Sequence, residues 1–401
     1  EKYFINMITW SIQKLKEITT KIGSGATPRG GKGAYHNEGV PFIRSLNVHD
    51  LNFIYDDLAF IDQKQAQQLD NVLVQKDDVL LNITGVSVCR CTSVPDNLVP
   101  ARVNQHVSII RADKKNIYGK YLKYVLVSSI YKGALFGLAR TGATREALTK
   151  NDIENFKIRL PDIVSQKNIF SLLSAYDDLI ENNKIRIKVL EEMSQFLYTE
   201  WFVKFKFPGC EKVKMIDSKI SYGMIPEGWE VKKLGDVIQI KKGKNITKDT
   251  IIKGDIPVVA GGIEPAYYHN NPNTISPVIT ISASGAGAGF TKLYYQDIWA
   301  SDCSYIDKNI TEYVYFFYLF LKNKQKEISN LQRGSAQPHV YPKDLMGLKI
   351  IYSQDFVNEF NDLITPLFEL IGKLKDKNII LTKTRDLLIP QLVTGKRELK
   401  N

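Results

Sequence analysis

Two stretches of the chain carry apolar residues at helical spacing with little glycine, Gln166 to Phe205 and Asp355 to Arg397. In the second, Leu367, Leu374, Leu381 and Leu388 lie seven apart, and Ile371, Asn378, Arg385 and Leu392 fill the other position of the same seam. Four consecutive heptads predict a coiled-coil helix. In the first, Ile180, Ile187 and Trp201 pair with Asn183, Leu190 and Leu197, with Ser194 a weak member. Asn183 and Asn378 are polar seam positions of the kind that fix register at a cost in stability. The simplest arrangement is two long helices packed antiparallel. Pro366 is expected at or near a helix start, because inside a helix it removes a hydrogen bond. "FKFPGCEKVK" from Phe205 is read as the exit turn of the first helix.

Elsewhere the pattern is short. Val- and Ile-rich runs broken by Gly, Pro and Asn predict strands of an irregular sheet, with helices over Tyr118 to Tyr131 and Glu312 to Asn330. These runs occur twice, in the same order. "WSIQKLKEIT" at Trp10 matches "WEVKKLGDVI" at Trp229, and "VPFIRSLNV" at Val40 matches "IPVVAGGIE" at Ile256. "DDVLLNITG" at Asp77 matches "SPVITISASG" at Ser276, and "NIYGKYLKYVL" at Asn116 matches "NITEYVYFFYL" at Asn309. "RTGATREALTKNDIENFKI" from Arg140 and "RGSAQPHVYPKDLMGLKI" from Arg333 close each copy. The fold class is therefore α+β, two duplicated α/β domains separated by two long helices that form an antiparallel coiled coil. The expected boundaries are 1–161 for the first domain, 162–208 for the first helical spacer, 209–352 for the second domain with a linker over 209–225, and 353–401 for the second spacer.

A length of 401 residues fits two or more domains. The formal charge of +11 favours a polyanionic partner, of which nucleic acid is the commonest. Cys89, Cys91, Cys210 and Cys303 have no zinc-ligand spacing, and the first two are read as packing residues on one face of a strand. His36, His49, His106, His269 and His339 are scattered without HExxH, so no metal is expected. Asp77 and Asp78 lie outside any nuclease pattern and are read as solvated surface; "KIGSGATPRGGKG" and "SGAGAGF" fit neither GxxxxGK[ST] nor GxGxxG. Neither a signal peptide nor a bilayer-spanning run is read, and reduced thiols point to the cytoplasm.

In this order, "GWEVKKLGDV" at Gly228, "TGATREAL", "RGSAQPHV", "YTEWFVKFKFPG" at Tyr198 and "LLIPQLVTGKREL" at Leu387 resemble the specificity subunit of type I restriction-modification systems over essentially the whole chain. The resemblance implies a non-catalytic subunit whose two target-recognition domains each read one half of a bipartite double-stranded DNA target, the helix pair setting the unread gap. It also implies docking of two methyltransferase subunits and a restriction and translocation subunit. S-adenosylmethionine, ATP and magnesium would belong to those partners, leaving this chain with no cofactor. The rival readings are a coiled-coil scaffold that does not read DNA and a stand-alone nuclease.

Candidate DNA-binding residues in the first domain are Ser24, Thr27, Arg29 and Lys32 of the basic Gly-rich loop, Arg44, Ser45 and Asn47 after the "PFI" strand, and Arg140, Thr141, Thr144 and Arg145 of the closing turn. In the second they are Lys242, Lys244, Asn245, Arg333, Ser335, Gln337 and His339. Arg paired with guanine and Asn or Gln with adenine are the favoured major-groove contacts. Pro338 and His339 stand where the first copy has Glu146 and Ala147, and Arg29 and Arg44 lack counterparts, so unequal half-sites are expected. Helix-pair packing is assigned to Ile180, Ile187, Leu190, Leu197, Trp201, Leu367, Ile371, Leu374, Leu381 and Leu388. A helix of about 30 residues spans roughly 45 Å, more than one turn of DNA.

Overall fold

The computed structural model describes residues 10–140, 146–218, 223–334 and 338–399, apart from the side chain of Lys32. Within these the chain forms two compact units, one drawn from Glu1–Glu181 with Asn378–Asn401 and the other from Asn182–Lys377. The duplication in sequence is a duplication in structure.

In the first unit Ser11–Lys14 pairs antiparallel with Lys157–Leu160, so the beginning and end of the copy form one ribbon. A four-stranded antiparallel sheet follows, in the order Thr19–Ser24, Val107–Ala112, Val79–Asn82, Cys91–Ser93. A second sheet runs Ala59–Ile61, Val40–Ile43, Ala101–Val103, Leu73–Val74, with Val40–Ile43 parallel to Ala101–Val103. Strands Val79–Asn82 and Val107–Ala112 are buried on both faces where the helices Gly119–Val127 and Ser129–Arg140 cover one side and the second sheet the other. That double burial is why they read as continuous apolar runs.

The second unit repeats this plan with one strand fewer in its second sheet. Glu230–Lys233 pairs antiparallel with Lys349–Tyr352. Its antiparallel sheet runs Lys241–Lys242, Cys303–Asp307, Val278–Ser282, Thr291–Tyr294, and its second sheet runs Tyr267–His269, Ile256–Val259, Trp299–Ala300. Ile256–Val259 is parallel to Trp299–Ala300, the same single parallel pairing as in the first unit. Val314–Asn323 and Gln325–Asn330 are the covering helices.

The long helices are Ile163–Tyr198 and Gln354–Val393, and each unit holds part of both. In the first unit they run antiparallel, Asp177 lying against Arg385 and the Asn378 Nδ2 donating to the Ile180 carbonyl at 3.3 Å. In the second they are also antiparallel, Glu191 pairing with Lys375 at 3.1 Å and Tyr198 and Trp201 packing on Phe360. Asp162 starts the first helix, its Oδ1 accepting from the backbone N–H groups of Val164 and Ser165 at 2.9 Å. A π-turn over Thr199–Val203 ends it, and Phe207 then stacks on Trp229 at 5.3 Å. Trp10 occupies the corresponding place in the first unit, against Gly395 beyond the end of the second helix.

Several expectations are corrected. Pro366 lies twelve residues inside the second helix rather than at its start; it is exposed, as is Asp362, the residue whose carbonyl loses its helical partner. In the second unit the buried stripe of that helix is Val357, Phe360, Ile364, Phe368, Ile371 and Leu374, so Phe368, stacked on Tyr315 at 4.5 Å, takes the place assigned to Leu367, which is half-exposed; in the first unit Ile389, Leu392 and Val393 are buried. Ile371, Leu374, Ile180 and Trp201 are buried, and Ile187, Leu190, Leu197 and Leu388 are half-buried against the cores; Leu381 is half-buried. Cys89 precedes the strand Cys91–Ser93 in a left-handed conformation, although both thiols are buried. Asp78 is not solvated surface: it is fully buried in a paired bond with Arg111, both contacts 2.8 Å. Among the described residues no single helix is long and apolar enough to cross a membrane; Gly119–Val127 and Ser129–Arg140 reach that only jointly, bent by 71°.

Candidate nucleic-acid interface

In the first unit, five connecting segments meet at one edge of the paired sheets, held by backbone hydrogen bonds. The Gly25 N–H donates to the Val107 carbonyl at 2.9 Å and Ala26 to Val103 at 3.0 Å. Asn104 donates to Ile43 at 3.0 Å, Ile83 to His106 at 3.0 Å, Gly85 to Glu146 at 3.1 Å and Leu148 to Ile83 at 2.8 Å. The strands end where their side chains can no longer enter the core, and the polar residues beyond them gather here. Gly25 is required by the close approach, since a Cβ would lie 2.1 Å from the Val103 oxygen.

The second unit reproduces the set. Gly243 donates to Cys303 at 2.8 Å, Lys244 to Ala300 at 2.9 Å, Ser301 to Val259 at 2.8 Å, Ala283 to Asp302 at 3.2 Å, Gly285 to Pro338 at 3.1 Å and Val340 to Ala283 at 3.0 Å. A Cβ on Gly243 would meet the Ser301 oxygen at 2.2 Å, the same constraint as at Gly25. These bonds equate Ser24 with Lys242, Ala26 with Lys244, Arg44 with Ala260, Thr84 with Ser284 and Ala147 with His339. The equivalence of the two closing turns read from sequence therefore holds at Glu146 and Pro338.

The edge brings together Ser24, Thr27, Arg44, Ser45 and the base of the Arg140 turn in one unit, and Lys242, Lys244, Asn245, Arg333 and His339 in the other. Ser24, Thr27, Arg29, Lys242, Lys244 and Asn245 are exposed. Arg44 is already engaged, its guanidinium 5.4 Å over the Tyr35 ring and its Nη2 donating to the Asp57 carbonyl. Arg140 pairs with Glu146 at 2.9 Å and Arg333 with Asp344 at 2.6 Å, yet both arginines remain largely exposed. His339 exchanges backbone bonds with Arg333 and stacks on Tyr341. Thr141, Thr144, Arg145, Ser335 and Gln337, together with the side chain of Lys32, lie outside the described residues.

Asn47 is a correction. Its side chain is fully buried, with Oδ1 accepting from the Arg44 N–H at 3.0 Å and Nδ2 donating to Ile54 and Asp56. Those three bonds shape the turn from inside and leave the amide no route to a ligand. Asn82, at the end of its strand, works similarly, donating to Ser45 at 2.8 Å and Val48 at 3.3 Å, and Ser282 in the other unit donates to Gly261 at 2.6 Å.

Sequence reasoning missed the segment between the two central strands. In the first unit Thr27 donates to Gln105 Oε1, Gln105 Nε2 lies 3.2 Å from His106 Nε2, and Thr84 Oγ1 lies 2.7 Å from His106 Nδ1. In the second, Ser284 Oγ donates to Asp302 Oδ2. Aligning the copies through "VNQHV" and "ASDCS" at the strand ends would have paired His106 with Asp302, but a one-residue length difference hides the match. Among the described residues no three His, Cys, Asp or Glu side chains are placed to hold a metal.

The duplication itself has a known counterpart. The model of the type I restriction modification DNA specificity domain matches residues 7–192 and 226–353, one match for each copy and well over half of the chain. The chain belongs to this family. It is 25% identical over 96% of its length to the type I restriction enzyme MjaIX specificity subunit of Methanocaldococcus jannaschii, covering 93% of that protein. It is 22% identical over 97% of its length to the type I restriction enzyme HindI specificity subunit of Haemophilus influenzae, covering all of it. The fold is that of the type I restriction-modification S subunit from M. genitalium, with a TM-score of 0.61 at 17% identity, spanning 100% of this chain and 99% of that one. The chain is thus a type I specificity subunit, a recognition chain and not a catalytic one.

Proposed function

We propose that each unit reads one half of a bipartite double-stranded DNA target through its loop edge, and that the helix pair sets the unread gap. The observation that carries this is the duplicated edge, where the same backbone bonds hold different exposed side chains in the two copies. Lys242 and Lys244 stand where the first copy has Ser24 and Ala26, so the two edges place charge differently and read unequal half-sites. Exposed lysines and arginines here engage phosphates, which position the protein, while neutral polar groups address base edges.

The long helices also dock the methyltransferase subunits, two in number. Ile185, Val189, Met193 and Phe196 form an exposed apolar stripe at helical spacing on the outer side of the first helix, the kind of surface that a partner covers. S-adenosylmethionine, ATP and magnesium serve those partners and a restriction subunit that joins them. Methylation mapping of DNA from a host expressing this chain with its modification subunits tests the reading. The expected result is two short, unequal motifs separated by a fixed number of unread base pairs, and a single contiguous motif would overturn it.

A further inference from the structure

The connection between the two central strands carries different chemistry in the two units. In the first it is Asn104, Gln105 and His106; in the second it is one residue shorter, Ser301 and Asp302. Both leave a strand of the second sheet, Ala101–Val103 or Trp299–Ala300, and enter the middle of the first, Val107–Ala112 or Cys303–Asp307. Both therefore sit at the centre of the loop edge, bracketed by the bonds from Gly25 and Ala26, or from Gly243 and Lys244, on either side.

Gln105 is exposed while its neighbours hold it. Its Oε1 accepts from the Thr27 hydroxyl and its Nε2 donates to His106 Nε2, so the His106 Nδ1 hydrogen goes to Thr84 Oγ1. An amide has two acceptor sites and two donor hydrogens. One of each is used by Thr27 and His106, and one of each remains. That remainder is the complement of adenine in the major groove, where Gln donates to N7 and accepts from N6. Because the amide is clamped from both sides, little rotamer entropy is lost when it binds.

In the second unit Ser284 gives its only hydroxyl hydrogen to Asp302, and Gly261 packs so closely on that pair that a Cβ would meet Ser284 Oγ at 2.4 Å. The Asp302 carboxylate can only accept. A negative acceptor at the centre of an edge flanked by Lys242 and Lys244 repels phosphate and has no partner there but a donor. On DNA the donors facing the major groove are base amino groups, and cytosine N4 is the match for a carboxylate.

We infer that Gln105 and Asp302 are base-reading residues, Gln105 for an adenine in one half-site and Asp302 for a cytosine amino group in the other. This rests on the proposed DNA-reading function, and the test separates the two. The full-length chain selects from a library of random-sequence duplex DNA, alone and as its modification complex, and the bound sequences are read. If the wild type enriches no bipartite motif, the DNA-reading function itself fails. Given a wild-type motif, Gln105→Ala is expected to make one adenine position of one half degenerate, relaxing its discrimination by roughly 5- to 150-fold, with the other half unchanged. Asp302→Asn is expected to alter one cytosine position of the other half only. Gln105→Glu, which keeps the side-chain length but removes the donor, should shift that adenine position toward cytosine. Wild-type selectivity at every position in these variants, or a loss spread over both halves, would overturn the assignment.

Discussion

The Asp177 carboxylate meets the Arg385 guanidinium at 2.7 Å across the helix pair of the first unit, and on its other oxygen it accepts from the hydroxyl of Tyr124, a buried residue of the covering helix. Lys123 adds a third contact at 3.5 Å. One carboxylate thus ties both long helices to the recognition domain. Burial alone would ease the proton off Arg385, but its bonds to Asp177 and Asp386 outweigh that and hold its pKa above the ordinary value. Burial, reinforced by the Asp177 charge, pushes the Tyr124 phenol well up.

Replacing Asp177 with Ala should therefore cost about 2–3 kcal/mol, since it leaves a buried hydroxyl unmatched and a half-buried guanidinium with Asp386 as its remaining carboxylate. Denaturant unfolding with a probe in the first unit measures this. A change below 0.5 kcal/mol, of the order of a surface substitution, would refute the role of Asp177 as the tie.

The register of the second helix makes opposite predictions for two neighbours. Phe368→Ala should destabilise by about 3–5 kcal/mol because it empties a fully buried ring site. Leu367→Ala should cost no more than about 1 kcal/mol, as for a half-exposed side chain. Thermal melting of the two variants decides between this stripe and a strict heptad, which would reverse the order.

Glycine substitutions should also split in sign. Gly25→Ala and Gly243→Ala each place a Cβ inside a backbone oxygen, at 2.1 and 2.2 Å, and should destabilise by at least about 1–3 kcal/mol while impairing DNA binding at one half-site. Gly133→Ala, in the middle of Ser129–Arg140 with nothing within 4 Å, should stabilise by about 0.5–1 kcal/mol. Calorimetry and half-site binding on the three variants provide the check.

Asp162 gives a pH dependence. Hydrogen bonds from Ser165, backbone and hydroxyl, hold its carboxyl below the usual carboxylate range. A lowered folded-state pKa means that its contribution is complete above the unfolded value near 4 and is lost as pH falls through the folded value. Asp162→Ala should cost about 1 kcal/mol at pH 7. The gap between wild type and variant should narrow by pH 3, as followed by the helical circular dichroism on melting.

Thiol chemistry should single out one cysteine. Burial pushes Cys89 and Cys303 up to about 12 and raises Cys91 as well, while Cys210 is partly exposed. A thiol reagent at pH 8 should label Cys210 in the native chain and all four cysteines after unfolding; rapid native labelling at Cys89 would contradict its buried placement.

Much of the architecture was legible because it depends on periodicity. The heptads marked both helices, and the repeated order of apolar runs marked both copies, since strands and helices must bury the same faces to form the same core. Asn47 shows where that stops. As sequence, an Asn after an apolar strand is a candidate base reader; in the fold, Asn47 faces inward because three backbone groups of its own turn need partners. Pro366 departs from its expected place at a helix start for a related reason, since the cost of an interior proline depends on its surroundings in the fold, and Pro366 lies on the exposed side of the helix.

The sequence by itself determined the duplication, the helix pair, the basic charge and, through short motifs in order, the specificity-subunit family. Only the tertiary structure decided which polar residues share an edge. Gln105, Thr27 and His106 come together at one edge, and Asp302, Ser284 and Gly261 at the other, because strands distant in the chain end at one level within each unit, and hydrogen-bond direction among their side chains is fixed by neighbours that no local pattern encodes.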